Sequence, residues 1–216
     1  CSACLSIRVL VNEFEPSKSQ RRVTSKNQLI VRTEKKAEAT NEQYEIFKSY
    51  LNSRHLNGGM SNMDALEFSS MIEETNVQSK VFEYRATNIE GEDQLLAVCL
   101  TDTNCDGLSM VYSFYNPTYQ HLSLGKFMIL DHILLAQELK LDYLYLGYWI
   151  RKNNKMGYKA DYRPAEVYHK DKWVRLSKEN LDKLKLDTGP NLPSLKKSTP
   201  EIESIIQLPR FSTDPN

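Results

Sequence analysis

Three apolar segments separated by turn signals between residues 80 and 115 constrain the fold of this chain most. Residues 81–87, 94–101 and 108–115 are short and rich in aliphatic, β-branched and aromatic side chains, which is typical of strands. The turns between them contain Gly91 and Asn104 to Gly107, where the residue types favour tight reversals of the backbone. The pattern therefore predicts an antiparallel meander of three strands.

The period of the apolar residues changes after Asn116-Pro117, which ends the meander. Helical spacing over 126–139 predicts a long helix with a wide buried face. The dense apolar run 141–150 predicts a further strand. We therefore predict an α+β fold, an antiparallel sheet flanked by helices. A meander, a helix and then a strand is the N-acetyltransferase-like acyltransferase arrangement, which by pattern alone is one option among several.

Shorter elements surround this centre. We predict strands at 5–11 and 166–176, a helix from Thr40 or Asn41 that stops at Asn57-Gly58-Gly59, and a short helix at 64–72. Residues 16–22 are predicted to form a loop that leads into a helix or a strand, and a short apolar run follows at 27–33. After Ser177 prolines punctuate a polar stretch, so residues 178–216 are predicted to form an extended tail.

Charge is balanced overall but unevenly distributed along the chain. The 216 residues hold 28 Lys and Arg and 28 Asp and Glu. Residues 8–36 hold eight basic and three acidic residues, 151–175 repeat that ratio, and 61–93 reverse it with eight acidic and two basic residues. The basic stretches can meet a polyanion if they converge on one face; otherwise they are solvated surfaces.

Membrane insertion and a disulfide framework are not indicated. No apolar run reaches the roughly 18 residues that a membrane-spanning helix needs. Four cysteines in a chain of this size are typical of a reduced protein, and Cys99, in an apolar run, is predicted to be a core residue. We therefore expect a cytoplasmic protein.

Motifs in both parts of the chain resemble those of a known family. The three C-terminal motifs are His121-Leu-Ser-Leu-Gly-Lys126, Leu144-Tyr-Leu-Gly-Tyr-Trp-Ile150 and Met156-Gly-Tyr-Lys-Ala-Asp-Tyr-Arg-Pro-Ala-Glu166. The opening adds Cys1-Ser-Ala-Cys4, Arg8 and the stretch from Phe14 to Arg22. In this order and spacing they resemble the aminoacyl-tRNA–protein transferases. The short connections are most similar to the bacterial Asp/Glu leucyltransferases, whose arginyl relatives in eukaryotes carry long insertions.

The resemblance implies a reaction and a division of the chain. Leucine passes from leucyl-tRNA to the α-amine of a protein that begins with Asp or Glu, which marks that protein for degradation through the N-degron pathway. The partners implied are charged tRNA and acidic N-termini, with no membrane. Residues 1–39 would be the remainder of a cysteine-containing N-terminal domain, 40–177 the acyltransferase-like domain and 178–216 the tail.

The resemblance also bears on cofactors. Transfer itself requires none, because the ester of charged tRNA is already activated. In the arginyl relatives a cysteine group is implicated in metal or iron–sulfur binding, and the family holds further cysteines upstream of Cys1. Cys1 and Cys4 supply two thiolates, which is half of a tetrahedral site. A metal or cluster is thus expected only with those upstream cysteines.

Aminolysis of an ester needs a proton acceptor and donors for the tetrahedral oxyanion. Glu166, which closes the Met156–Glu166 motif, is the first candidate for the base; its alternative role is a surface carboxylate paired with Lys159 or Arg163. Tyr148 and Tyr158 are candidates for donating to the oxyanion or contacting the tRNA end, and their alternative role is packing.

Several residues are candidates for holding the two substrates. Ser123, Gly125 and Lys126 begin the long helix, whose N-terminal amides favour a phosphate or an oxyanion; the alternative is a capped helix with Ser123 as the cap. The candidates for tRNA phosphates are Arg21, Arg22, Lys155 and Lys159.

The specificity of the two sites follows from chemistry. A guanidinium grips a carboxylate through two hydrogen bonds, so Arg21, Arg54 and Arg163 are candidates for recognising the acidic N-terminal residue. A leucyl donor needs an apolar pocket and an arginyl donor needs convergent carboxylates, and the residues alone leave this choice open.

Two other functions compete with leucyl transfer. A CoA-dependent N-acetyltransferase should carry a Gly-rich pyrophosphate loop before the long helix, whereas residues 121–126 contain one glycine. A tRNA-binding module without catalytic activity is the other alternative.

Overall fold

The computed structural model describes residues 4–54, 60, 62–87, 91–151, 153, 155–177 and 179–180. Within this part, the meander predicted from the sequence is present as strands β3 (Ser79–Thr87), β4 (Asp93–Thr103) and β5 (Gly107–Tyr115), paired antiparallel. The other strands are β1 (Leu5–Leu10), β2 (Val31–Lys36), β6 (Tyr143–Trp149), β7 (Ala165–His169) and β8 (Lys172–Arg175). The α-helices are α1 (Lys18–Lys26), α2 (Asn41–Arg54), α3 (Ala65–Glu73) and α4 (Leu124–Glu138).

All these strands lie in one sheet with the order β2-β3-β4-β5-β6-β1-β7-β8. Every neighbouring pair in that order is antiparallel except β5 and β6, which α4 connects and which are parallel. The predicted division after residue 39 stays a prediction, and both strands that precede it, β1 and β2, belong to the same sheet as the rest.

Local capping explains where three of the helices begin. Thr40 and Gln43 bond each other's backbone amides at the start of α2, and Asp64 and Glu67 do the same before α3. Ser17 and Gln20 form an equivalent capping box before α1. The predicted helices at 40 and 64 are therefore confirmed, whereas α1 replaces part of a predicted loop.

The core lies on both faces of the sheet because neighbouring residues of a strand point to opposite sides. On one face α4 packs over Tyr84 and Cys99 of the central strands. On the other face α2 and α3 cover Val98 and Phe114, and Phe47 of α2 meets the Phe114 ring edge-on at 5.4 Å. Cys99 is fully buried, which confirms its predicted place in the core.

One predicted element is wrong and another lies outside the described residues. The single strand expected at 166–176 is a hairpin, β7 and β8, which reverses at Lys170 and Asp171. The predicted tail falls almost entirely outside the described residues, as do Asn57-Gly58-Gly59. In the described part of the chain no helix has the length and apolar character needed to cross a membrane.

Candidate active site

Strands β5 and β6 touch at one end and separate at the other. They pair only from Gly107 with Tyr143 to Ser109 with Tyr145, although both strands continue past that point and are fully described. At the closed end a Cβ at Gly107 would lie 2.4 Å from the Tyr143 carbonyl oxygen, so only glycine fits. The two strands therefore form the arms of an open V.

A cavity of about 740 Å³, here called the split-strand cleft, lies between these arms. Asp102 is the one carboxylate among its described lining residues, and it accepts a hydrogen bond from Ser79. Most of the lining is apolar and includes flexible methionines, which adapt to the shape of a bound group. The apolar residues are Leu51, Met60, Met110, Val111, Ile129, Leu146 and Met156. The cleft thus suits an apolar side chain.

A second cavity of about 410 Å³, here called the cationic pocket, opens at the N-terminus of α4. Arg54, Lys126 and Lys155 bring three cations to it, and Ser123 and Gly125 line it as well. Ser123 has a left-handed backbone, with φ of 56°, and its side chain bonds no amide of the first turn. The interpretation of Ser123 as a capping side chain is therefore wrong. Helix dipole and cations together favour an anion here.

Tyr50 and Tyr158 line both cavities and lie where they join. Burial raises the pKa of Tyr50 to about 12 and also raises the pKa of Tyr158. Both phenols therefore keep their protons at neutral pH and can donate hydrogen bonds. Sequence reasoning nominated Tyr158 but missed Tyr50, although Tyr50 and Arg54 are four residues apart and share one face of α2.

Lys159 closes the edge of β6 that β5 leaves unpaired. Its Nζ donates to the carbonyl oxygens of Leu146 at 2.7 Å and Tyr148 at 2.8 Å. Between them Gly147 has φ of +73° and lies in a bulge where the pairing of β6 with β1 shifts. Lys159 thus satisfies carbonyls that a neighbouring strand would otherwise bond. Burial lowers the pKa of this lysine.

Glu166 lies elsewhere, in a network centred on Arg8. Arg8 donates from Nε at 2.9 Å and from Nη2 at 2.7 Å to Oε2 of Glu166. The Arg8 guanidinium also lies 3.5 Å from the ring centre of Tyr143 and 4.1 Å from that of Trp173. The partner of Glu166 is therefore Arg8 rather than Lys159 or Arg163, and Glu166 lines neither cavity.

Of the remaining predicted residues, one lines a cavity and three arginines do not. Tyr148, which is 62% exposed, lines the split-strand cleft. Arg21 donates to the Pro16 carbonyl oxygen and Arg163 to that of Ala160. Like Arg22, these two arginines are exposed, and none of the three lines a cavity described above.

The predicted cysteine site is only partly within the described residues. Cys1 lies outside them, and Cys4 is an exposed free thiol. Among the described residues no group of three or more His, Cys, Asp or Glu side chains could hold a metal ion. The described residues do not fit a metal by themselves, and a site at Cys1 and Cys4 stays a prediction.

The family of this chain is decided by a match to the C-terminal part of known transferases. The family described as "Arginine-tRNA-protein transferase, C terminus" matches residues 42–169, more than half of the chain. The chain belongs to this family. The match runs from α2 to β7 and includes Tyr50, Arg54, Tyr158 and Lys159.

Curated relatives carry a more specific name. The Asp/Glu leucyltransferase of Paracoccus denitrificans is 49% identical over 181 residues, which is 80% of this chain and 64% of the relative. Those of Rhodopseudomonas palustris and a Jannaschia species are 48% and 50% identical and cover 82% and 80% of this chain. The chain spans 60% to 70% of the length of these three relatives.

Solved structures at low identity are similar in fold. FemX superposes with a TM-score of 0.55 at 11% identity, over 84% of this chain and 63% of FemX. The C-terminal domain of a lysylphosphatidylglycerol synthetase from Agrobacterium fabrum has a TM-score of 0.54 at 13% identity, over 79% of this chain and 58% of that domain. These similarities confirm the predicted acyltransferase-like α+β fold.

Proposed function

We propose that this protein transfers leucine from leucyl-tRNA to the α-amine of proteins that begin with Asp or Glu. The observation that carries the proposal is the meeting of an apolar cleft and a cationic pocket at Tyr50 and Tyr158. An aminoacyl-tRNA end has the matching halves, an apolar leucyl group and a negatively charged nucleotide. The names of relatives about 50% identical support the same donor and acceptor.

The leucyl side chain occupies the split-strand cleft in this proposal. A leucine makes favourable contacts with the aliphatic and methionine side chains there, because burying apolar surface stabilises binding. An arginyl group would need carboxylates for its guanidinium, and Asp102 is the one that lines the described cleft. The lining therefore favours leucine over arginine.

The end of the tRNA lies in the cationic pocket, next to the α4 N-terminus. Lys126 and Lys155 neutralise phosphate there without reading sequence, as amines do in other nucleic-acid complexes. Arg54 is the one of the three arginines predicted for the acidic residue that lines a cavity. We assign it to the Asp or Glu side chain, because a guanidinium bonds a carboxylate in two places.

The chemistry joins the two cavities. The acceptor amine adds to the ester carbonyl, and the phenols of Tyr50 and Tyr158 are placed where they can donate to the resulting oxyanion. Holding both substrates in one site supplies much of the rate, since positioning alone lowers such barriers by roughly 7–11 kcal/mol. The ester is already activated, so the reaction needs no ATP or cofactor, and charged tRNA places it in the cytoplasm.

The test is a transfer assay with radiolabelled leucyl-tRNA and arginyl-tRNA and peptides that begin with Asp, Glu, Lys or Ala. Leucine on the Asp and Glu peptides alone is expected. Arginine on those peptides would overturn the donor, and absence of transfer from either tRNA would overturn the enzymatic proposal. In cells, loss of the protein should lengthen the lifetime of reporters that begin with Asp or Glu, as the N-degron role requires.

A matched pair of variants tests the assignment of leucine to the cleft. Met110→Asp places a second carboxylate beside Asp102 and should reduce leucyl transfer more than Met110→Leu, which keeps the lining apolar. Equal activity of the two variants would contradict the assignment of the leucyl group to this cleft. A titration with CoA gives a separate check, since the N-acetyltransferase alternative requires CoA binding.

A further inference from the structure

Lys159 differs from Arg8, Arg32 and Arg85 in having no carboxylate partner among the described residues. Arg8, Arg32 and Arg85 each form ion pairs, whereas the hydrogen bonds of Lys159 go to two backbone carbonyl oxygens. The two carbonyl oxygens stabilise the ammonium only in part, and the net effect of burial is to lower the pKa of Lys159.

None of the other titratable groups in the described lining of the cleft forms an ion pair with Lys159. From the described elements the cleft is lined by Tyr50 of α2, Asp102 of β4, Tyr112 of β5 and Tyr148 of β6, and by Lys155 and Tyr158 of the following connection. Burial raises the pKa of Tyr50, Tyr112 and Tyr158, so these phenols are neutral near pH 7. Lys155 is a second cation in the lining, so it supplies no anion for Lys159.

A neutral lysine amine has two N–H donors and one lone pair. When it is deprotonated, Nζ of Lys159 keeps both hydrogen bonds, to the carbonyl oxygens of Leu146 and Tyr148, and has its lone pair left in the cleft that the side chain lines. We infer that Nζ of Lys159 accepts the proton that the acceptor amine loses when it adds to the leucyl ester. This inference rests on the proposed function, and it gives the role of base to a lysine rather than to Glu166, which Arg8 holds outside both cavities.

Lys159 alone can carry the proton through the whole step, from the acceptor amine to the leaving ribose oxygen. The nitrogen of the acceptor forms a bond to the ester carbon, and one of its protons moves to Nζ, which becomes an ammonium. The tetrahedral intermediate then collapses, the bond from carbon to the ribose oxygen breaks, and the ammonium returns the proton to that oxygen. The products are a peptide bond, a free tRNA hydroxyl and a neutral lysine, as at the start.

The experiment compares Lys159→Arg and Lys159→Met with the unsubstituted chain at saturating leucyl-tRNA and Asp-peptide, from pH 6 to about 9.5. Arginine can donate to both carbonyl oxygens but stays protonated throughout this range. We expect kcat to fall about a hundredfold or more in both variants, with KM for either substrate changed by less than about threefold. Lys155→Met, the matched control in the same cleft, should instead raise the KM for tRNA.

Each other result has a definite meaning. A Lys159→Arg variant with kcat within about threefold of the unsubstituted chain would show that hydrogen bonding alone suffices, and would overturn the base. Absence of transfer by the unsubstituted chain would instead overturn the proposed function itself.

A second measurement keeps the test valid if a variant fails to fold. Replacing Lys159 by genetically encoded thialysine keeps the length and the hydrogen bonds but lowers the amine pKa. The rising limb of the kcat–pH profile should then move to lower pH. A limb that stays at the same pH would overturn the role of Lys159 as the base.

Discussion

Two cations lie against β6, and they are held in opposite ways. Arg8 is stacked between aromatic rings and donates two hydrogen bonds to Glu166, so its charge is neutralised within the protein. Lys159 donates to two carbonyl oxygens at the edge of the cleft and has no anionic partner in the part of the chain that the structure describes. The first arrangement joins strands, whereas the second is the arrangement that our proposal of a base requires. Burial of a charged side chain therefore does not by itself indicate a reactive site, because the role of that side chain depends on its partners.

The largest effect on stability is expected at Arg8. Arg8→Met removes one member of a nearly buried ion pair and leaves the Glu166 carboxylate without its cation, which costs about 3 kcal/mol of unfolding free energy. Urea unfolding measures this value. Arg8→Lys keeps the charge but lacks the planar guanidinium, so its unfolding free energy should lie between those of the unsubstituted chain and Arg8→Met. A loss below about 0.5 kcal/mol would mean that the network adds nothing.

His132 extends the comparison to a buried group that is held neutral. Burial lowers its pKa from 6.5 to about 4. The unfolded chain therefore binds more protons than the folded chain between these values, and stability falls as the pH drops through that window. The full cost is about 3 kcal/mol at pH 4. Urea unfolding at pH 7 and pH 4.5 should show most of this loss, about 2.4 kcal/mol, in the unsubstituted chain and a smaller one in His132→Gln.

Glu166 gives the direct contrast with Lys159. Glu166→Gln keeps the shape and one acceptor but removes the charge, so we expect about 1–2 kcal/mol of destabilisation. Transfer under folded conditions should stay within about threefold of the unsubstituted chain. A loss of kcat as large as that of Lys159→Arg would favour Glu166 as the base, which was the first candidate from the sequence.

Arg54 tests whether a cation of the cationic pocket binds substrate. Arg54→Ala should raise the KM for Asp-peptides about tenfold, the value of one charge-assisted contact near the surface, with a smaller change in the affinity for tRNA. Arg163→Ala is the matched control, because its side chain bonds Ala160 and lines neither cavity. The same KM in both variants would exclude Arg54 from recognition.

The smallest effect concerns Ser123, at the entrance of the cationic pocket. Its backbone is left-handed, a conformation that glycine adopts without steric cost. Ser123→Gly should therefore stabilise the chain by about 0.5–1 kcal/mol, and Ser123→Ala should change stability little because the hydroxyl caps nothing. Urea midpoints of the two variants test this, and a large loss in Ser123→Ala would indicate an unrecognised cap.

Two elements show where the sequence could and could not have been interpreted better. The sequence left open whether a helix or a strand follows the predicted loop at 16–22, because the residues of α1 are almost all polar, yet Ser17 and Gln20 have the spacing of a capping box. The turn between β7 and β8 has no such signal. Lys170 and Asp171 both have positive φ, at 48° and 61°, where asparagine and glycine are the usual residues.

The candidate site was predictable in its parts but not in its assembly. Lys126 and Tyr158 were nominated from motifs and Lys155 from its charge, and all three line a cavity. Glu166 was nominated in the same way, and its carboxylate is bound to a residue 158 positions earlier in the chain. A motif restricts which residues matter, whereas the role of each depends on the partners it meets.

The sequence by itself determined the meander, the starts of α2 and α3, and the long helix α4, because turns, caps and periodicity are interactions between residues close in the chain. Only the tertiary structure decided that β1 lies between β6 and β7, that β6 separates from β5, and that Lys159 meets the carbonyl groups of β6. The neighbours of a strand are set by backbone hydrogen bonds, which any residue except proline can donate and every residue can accept, and Lys159 bonds the same kind of carbonyl through its side chain. Such bonds leave no signature in the order of side chains.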